Sequence, residues 1–180
     1  NYCLPLGFMM DEDAIQAWTD SSAGRTGSLN ALATALGCEE NMISTVDCKT
    51  EAVEGDTSID IPEDGYYYAD YTTCNSDSLN VNRNDGWNMN YSKTTHRYLL
   101  GLGKCKEGDR IHISNTNMET IYFSVYKLNT DVVEQCYYTL NRQTMELISM
   151  TDRSVEGNVN VKEEGRLVLS IPADEGWTLY

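Results

Sequence analysis

The chain has 180 residues, enough to bury one substantial core or two small ones without crosslinks. Its 13 Lys and Arg against 28 Asp and Glu give a net charge of −15, which repels nucleic acid and anionic headgroups. Nucleic-acid partners and a polybasic membrane-surface role are thereby excluded. The sequence holds no run of about 18 apolar residues and no signal-peptide pattern at its start, so the stretch is expected to be soluble.

Residues 1–10 read as an extended lead-in. Asp11-Glu12-Asp13 then place acids at the start of a short helix with Ile15 and Trp18 on one side, where negative charge suits the helix dipole. After a polar, Gly-bearing break, Ser28 is the expected N-cap of a second helix. Gly37 is its left-handed stop, and Leu29, Leu32, Ala33 and Leu36 form its apolar stripe.

From about Thr57 to Lys127 the apolar period is two, which predicts a β-sandwich, jelly-roll-like, with short turns. Its clearest hairpin surrounds Asn84-Asp85-Gly86. A three-residue loop with Gly86 left-handed pairs Leu79 with Tyr91, Val81 with Met89 and Arg83 with Trp87. That register keeps like with like. Leu100 and Leu102 lead through Gly108-Asp109 to Ile111 and Ile113, an expected second hairpin. Ile121, Phe123 and Val125 alternate with Tyr122, Ser124 and Tyr126 in a strand expected to meet apolar surroundings on both faces. Asn129 or Thr130 can cap a helix carrying Val133, Cys136, Tyr137 and Leu140, and Met145 to Met150 returns to strand.

A repeat at an offset of 100 residues underlies the second half. Ile59-Asp-Ile61-Pro-Glu-Asp-Gly65 and the strand to Tyr71 match Val159-Asn-Val161-Lys-Glu-Glu-Gly165 and the strand to Ile171, with Leu167, Leu169 and Ile171 on one face. This is a duplicated unit, not a solenoid period. The expected division is an N-terminal segment with two short helices (1–52), a β-sandwich unit (53–128), a linking helix (129–143) and a second, incomplete β unit (144–180). The fold class is mainly β with a few helices, of the α+β kind.

Six cysteines invite a disulfide framework, but their wide spacing favours no pairing, and mostly free thiols are expected. Gly101-x-Gly103-x4-Gly108-Asp109 lacks the Lys-Ser or Lys-Thr of a phosphate loop and reads as a turn. His96 and His112 have no second ligand at zinc-like spacing. The pairs Glu63-Asp64 and Glu163-Glu164 each precede the equivalent Gly of the repeat, so turn formation explains them. No catalytic, metal or cofactor-binding residue is assigned.

The aromatic residues lean toward binding. Twelve tyrosines and three tryptophans include Tyr66, Tyr67, Tyr68 and Tyr71. Rings at a sandwich rim stack on sugar faces while Asn, Asp and Arg hydrogen-bond hydroxyls. The candidate binding set is Arg83, Asp85, Trp87 and Tyr91 on the hairpin, with Asp174 and Trp177 at the last turn. Half-buried strand filler, with Arg83 and Trp87 as a cross-strand cation and ring pair, produces the same pattern.

Leu167-x-Leu169-Ser-Ile-Pro172-x-Asp174-x-Gly176-Trp177-x-x-Tyr180 closely resembles a segment near the extracytoplasmic C-terminal end of the YfhO family of bacterial membrane proteins. Leu4-Pro5-Leu6-Gly7-Phe8, Pro62-x-Asp64-Gly65-Tyr66, Gly101-x-Gly103 with Lys106-x-Gly108-Asp109, and Thr151-Asp152 to Gly157 also match. The family's following Val-Asp-Gly turn is absent here. The resemblance implies a polytopic glycosyltransferase that moves a sugar from a lipid-phosphate carrier to a Gram-positive cell-envelope polymer such as teichoic acid. Its catalytic acids are expected in loops near membrane helices that this stretch does not include. The chain is therefore expected to lie outside the plasma membrane, without catalysis or cofactor, and to position a cell-envelope glycan or the remainder of the parent protein. The residues alone also allow an independent carbohydrate-binding module or a spacer. A small secreted hydrolase would rest on no assembled constellation.

Overall fold

The computed structural model describes residues 5–19, 24–71, 78–92, 99–118, 120–171, 176 and 178. They fall into two compact units. One comprises 43–129, and the other is built from the chain before and after it, 1–42 and 130–180. The secondary structure is mainly β with three helices among the described residues, which is the α+β class expected.

In the 43–129 unit, β2 (Ile43–Thr45), β10 (Phe123–Leu128), β5 (Gly65–Tyr71) and β8 (Leu100–Cys105) form one sheet in the order β2-β10-β5-β8. The second sheet holds β3 (Lys49–Val53), β4 (Asp56–Asp60), β9 (Arg110–Asn115), β6 (Ser78–Arg83) and β7 (Asn88–Ser92), in the order β3-β4-β9-β6-β7. Each strand alternates its side chains between faces. Tyr67, Ala69, Tyr71, Leu100, Leu102 and Val125 of the first sheet thus share one buried core with Ile59, Leu79, Val81, Ile111 and Ile113 of the second. Two sheets closed over one apolar layer make the expected sandwich.

The Asn84-Asp85-Gly86 loop has the predicted register, with Leu79 opposite Tyr91 and Val81 opposite Met89. Gly86 lies at φ +90° and donates to Arg83 O at 2.9 Å, a turn that twists with its strands. The expected hairpin from Leu102 to Ile111 does not form: β8 pairs with β5, while β9 pairs with β4 and β6. Both segments alternate apolar residues toward the same core, but from opposite sheets. The turn between them, closed by Asp109 N–H to Lys106 O at 3.0 Å with Gly108 at φ +82°, crosses from one layer to the other. Nor is the strand around Val125 covered on both faces, because Tyr122 and Ser124 are exposed.

The other unit holds β1 (Gly7–Met10), α1 (Glu12–Thr19), α2 (Gly24–Ala35), α3 (Thr130–Leu140), a 3₁₀ turn (Asn141–Gln143), β11 (Met145–Met150), β12 (Val155–Val159) and β13 (Arg166–Leu169). Asp11 caps α1 by accepting from Ala14 N–H at 3.1 Å. Ser28 is not the N-cap expected of α2. That helix starts a turn earlier, and the Ser28 hydroxyl donates to Gly24 O at 3.0 Å. The C-terminal stop is as expected. Gly37 is left-handed at φ +83°, and Cys38 N–H to Ala33 O with Gly37 N–H to Thr34 O complete a Schellman cap. On α3 the buried stripe is Val132, Cys136 and Leu140, one position off the Val133 expected.

β1 pairs antiparallel with β13, and Phe8, Met10, Leu32 and Leu140 form a buried cluster flanked by Ile15, Trp18 and Val168. The repeat survives as local structure, since hairpin β3-β4 followed by β5 corresponds to hairpin β11-β12 followed by β13. Its burial does not. Ile59, Ile61, Tyr67, Ala69 and Tyr71 are all buried, whereas Val161, Leu167 and Leu169 are exposed and Val159 and Ile171 only half-buried. In β13 the residue packed inward is Val168, opposite Phe8, so the Leu167 and Leu169 face points away from the cluster.

Candidate functional site

The hairpin β6-β7 carries the first four candidate residues, and their polar groups are largely engaged within the unit. Arg83 Nη1 donates to Lys104 O at 2.7 Å and Nη2 to Asp85 Oδ2 at 2.8 Å, and the guanidinium lies 5.4 Å from the Trp87 ring centroid. Asp85 Oδ1 accepts from Trp87 N–H at 2.9 Å, which shapes the loop. The Arg83 hydrogen bond, and next the Trp87 amide, hold the Asp85 carboxyl below its usual range. The Asp85 hydrogen bond pushes the Arg83 value further up. Arg83, Asp85 and Trp87 thus form one cluster that ties the hairpin to β8 of the opposing sheet.

Tyr91 makes a second tie, its hydroxyl donating to Gly101 O at 2.8 Å, and burial raises its phenol above the usual value. Both ties land beside glycines of β8, where an added Cβ would make ordinary van der Waals contact with the tying side chain. Tyr91 Oη lies 3.6 Å from where a Cβ on Gly101 would sit, and Arg83 Nη1 lies 3.9 Å from the same point on Gly103. Gly103 is left-handed at φ +80°, and the β5-β8 register shifts by one residue beside it. Asp174 and Trp177 lie outside the described residues.

A more open constellation sits on the outer face of the four-stranded sheet. Because β5 turns Tyr67, Ala69 and Tyr71 inward, it presents Tyr66, Tyr68 and Asp70 outward. Across the ladder, Leu128 stands opposite Tyr66, Tyr126 opposite Tyr68 and Ser124 opposite Asp70. On the other side Gly101 stands opposite Tyr68. Tyr68 Cε1 lies 3.9 Å from the Cβ position of Gly101, the point Tyr91 Oη also approaches. Tyr126 and Tyr68 therefore lead across the sheet toward its β8 edge, where Tyr91 of the other sheet reaches Gly101, with Tyr66 exposed beside them and Asp70 and Ser124 as polar neighbours. The alternation of Tyr66 with Tyr68, and the phase of Tyr126, were legible in the sequence. Their adjacency required the pairing of strands over 50 residues apart, which no local pattern carries.

The remaining candidates are tied into structure. Asp64 Oδ1 accepts from Glu107 N–H at 2.9 Å and Glu63 pairs with Lys127 at 2.8 Å, so this acid pair ties its own turn to the 106–109 turn and to β10. His112 Nδ1 lies 2.9 Å from the Ser58 hydroxyl on the neighbouring strand. Among the described residues no cluster of His, Cys, Asp and Glu has metal-binding geometry, and no helix is long and apolar enough to cross a membrane. The second unit has a groove of about 630 Å³ beside Met10, Leu36 and Leu140, where Arg142, Lys162, Glu163 and Glu164 also stand. These charged residues only line the groove, and their opposite signs select no ligand class.

Neither the curated proteins nor the solved structures contain a match to this chain. The family model described as bacterial membrane protein YfhO matches residues 29–180, which includes all of the sandwich unit and both copies of the repeat. With most of its length covered, the chain belongs to the YfhO family of bacterial membrane proteins.

Proposed function

We propose that this chain is an extracytoplasmic, non-catalytic part of a polytopic YfhO-family glycosyltransferase acting on cell-envelope polymers such as teichoic acid, and that it positions the acceptor. The observation that carries this reading is the outward pair Tyr126 and Tyr68 on neighbouring strands with the exposed Tyr66 beside them. Ring faces on an exposed sheet bind pyranose faces through CH groups, while Asp70 and Ser124 stand where sugar hydroxyls can be met. The net charge of −15 disfavours polymer phosphates and directs contact to neutral glycosyl segments.

The test is a glycan array probed with the chain, followed by titration of any hit into Tyr68→Ala, which leaves the inward core of β5 intact. Binding that falls at least tenfold in the variant, with unchanged circular dichroism, supports the reading. Absence of glycan binding by the wild-type chain overturns it. A spacer or assembly role is the second reading, favoured by the exposed apolar positions Val161, Leu167 and Leu169 of the second repeat copy. It gains if the array is blank and the chain is instead retained by the parent protein's membrane portion.

A further inference from the structure

Cys38 and Cys136 are both buried free thiols, and their Sγ atoms lie 3.6 Å apart. Cys38 ends the Schellman cap of α2, whose backbone hydrogen bonds hold its position, and Cys136 lies on the buried stripe of α3. We propose that this pair is a disulfide-forming site that crosslinks α2 to α3. The connectivity gives such a bond a definite consequence. The unit built from 1–42 and 130–180 is discontinuous, interrupted by the 43–129 unit. Cys38 stands near the end of its first segment and Cys136 near the start of its second, 98 residues on. A bond between them joins the two segments at the base of the insertion, so that opening of the inserted unit no longer separates them.

The chemistry requires a disulfide oxidant such as glutathione disulfide. One cysteine thiolate attacks a sulfur of the oxidant, releasing one glutathione thiolate and leaving a mixed disulfide. The second cysteine thiolate then attacks the protein-side sulfur and expels the other glutathione. The protein loses two protons and two electrons, and the oxidant gains them as two thiols. Burial, then the Cys38 hydrogen bond, pushes the Cys136 thiol up to about 12. The thiolate is therefore scarce at neutral pH, and the exchange proceeds through brief opening of the α2 to α3 contact.

The experiment incubates the folded chain with glutathione disulfide, alkylates residual thiols under denaturing conditions and maps peptides without reduction. The expected result is a peptide pair joining Cys38 to Cys136, lighter by about 2 Da than the separate thiol peptides. In Cys136→Ala, Cys38 should instead be recovered alkylated or as a glutathione adduct. Recovery of both cysteines alkylated in the wild-type chain, or of either joined to one of the other four cysteines, overturns the proposal.

Discussion

Replacing Arg83 with Met keeps an apolar stem of similar length and removes the guanidinium that ties the hairpin to the opposite sheet. The side chain is only 11 % exposed, and its bond to Lys104 O at 2.7 Å is a charge-assisted contact made by a largely buried guanidinium at the rim of the sandwich. Such a bond contributes about 1.5–3 kcal/mol, and the Trp87 ring contact adds about 0.5–1 kcal/mol. Asp85 faces water and its pairing adds little. Against these gains stands Arg83 Nε, which is buried without a hydrogen-bond partner, 3.9 Å from Asp109. The expected net loss is about 2 kcal/mol, near 1 M in urea midpoint at a slope of about 2 kcal/mol per M. Urea unfolding followed by Trp87 fluorescence, in a background where Trp18 and Trp177 are Phe, reads the unit concerned. A variant within about 0.5 kcal/mol of the wild type would show that the tie between the sheets does not hold them together.

The repeat and the buried tyrosine give two further expectations. Ile61→Ala, at a position 2 % exposed, should cost about 2–5 kcal/mol. Its repeat counterpart Val161→Ala, 56 % exposed, should change stability by at most about 0.5 kcal/mol; equal costs in chemical denaturation would contradict the different burial of the two copies. Burial, with the Glu63 carboxylate adding to it, pushes the Tyr67 phenol from 10.0 up to about 12. The folded state thus holds a proton that the unfolded state has released. Its contribution is fully present below about pH 10 and is lost as pH rises through about 12. Tyr67→Phe should flatten the alkaline decline in stability measured across that window, and an unaltered decline would assign it to other groups.

Local chemistry was legible wherever a feature depends on neighbours in the chain. The Asn84-Asp85-Gly86 register follows from strand alternation and one left-handed glycine, and the structure has it residue for residue. Gly37 ends α2 for the same kind of reason. Ser28 misled because a hydroxyl can bond back to the helix carbonyl four residues earlier as well as cap a helix start, and the extra turn from Gly24 removed the need for it. In the candidate site, Arg83 against Trp87 was legible as a cross-strand pair. That Arg83 spends its charge on Lys104 O and Asp85 was not, because the partner carbonyl belongs to a strand of the other sheet.

By itself the sequence determined which side chains share a face: alternation of period two assigns Tyr66 and Tyr68 to one side of β5 and Tyr67, Ala69 and Tyr71 to the other, whatever lies across from them. It determined the family likeness and the duplicated strand plan in the same way, because both are written in local order. Only the tertiary structure decided which of those faces is covered. β8 and β9 look like one hairpin in sequence and yet serve two sheets, and two copies of the same strand plan end up with opposite burial. The physical reason is that backbone hydrogen-bonding groups in a strand pair with any available edge, so partner choice depends on the summed burial of segments far apart in the chain.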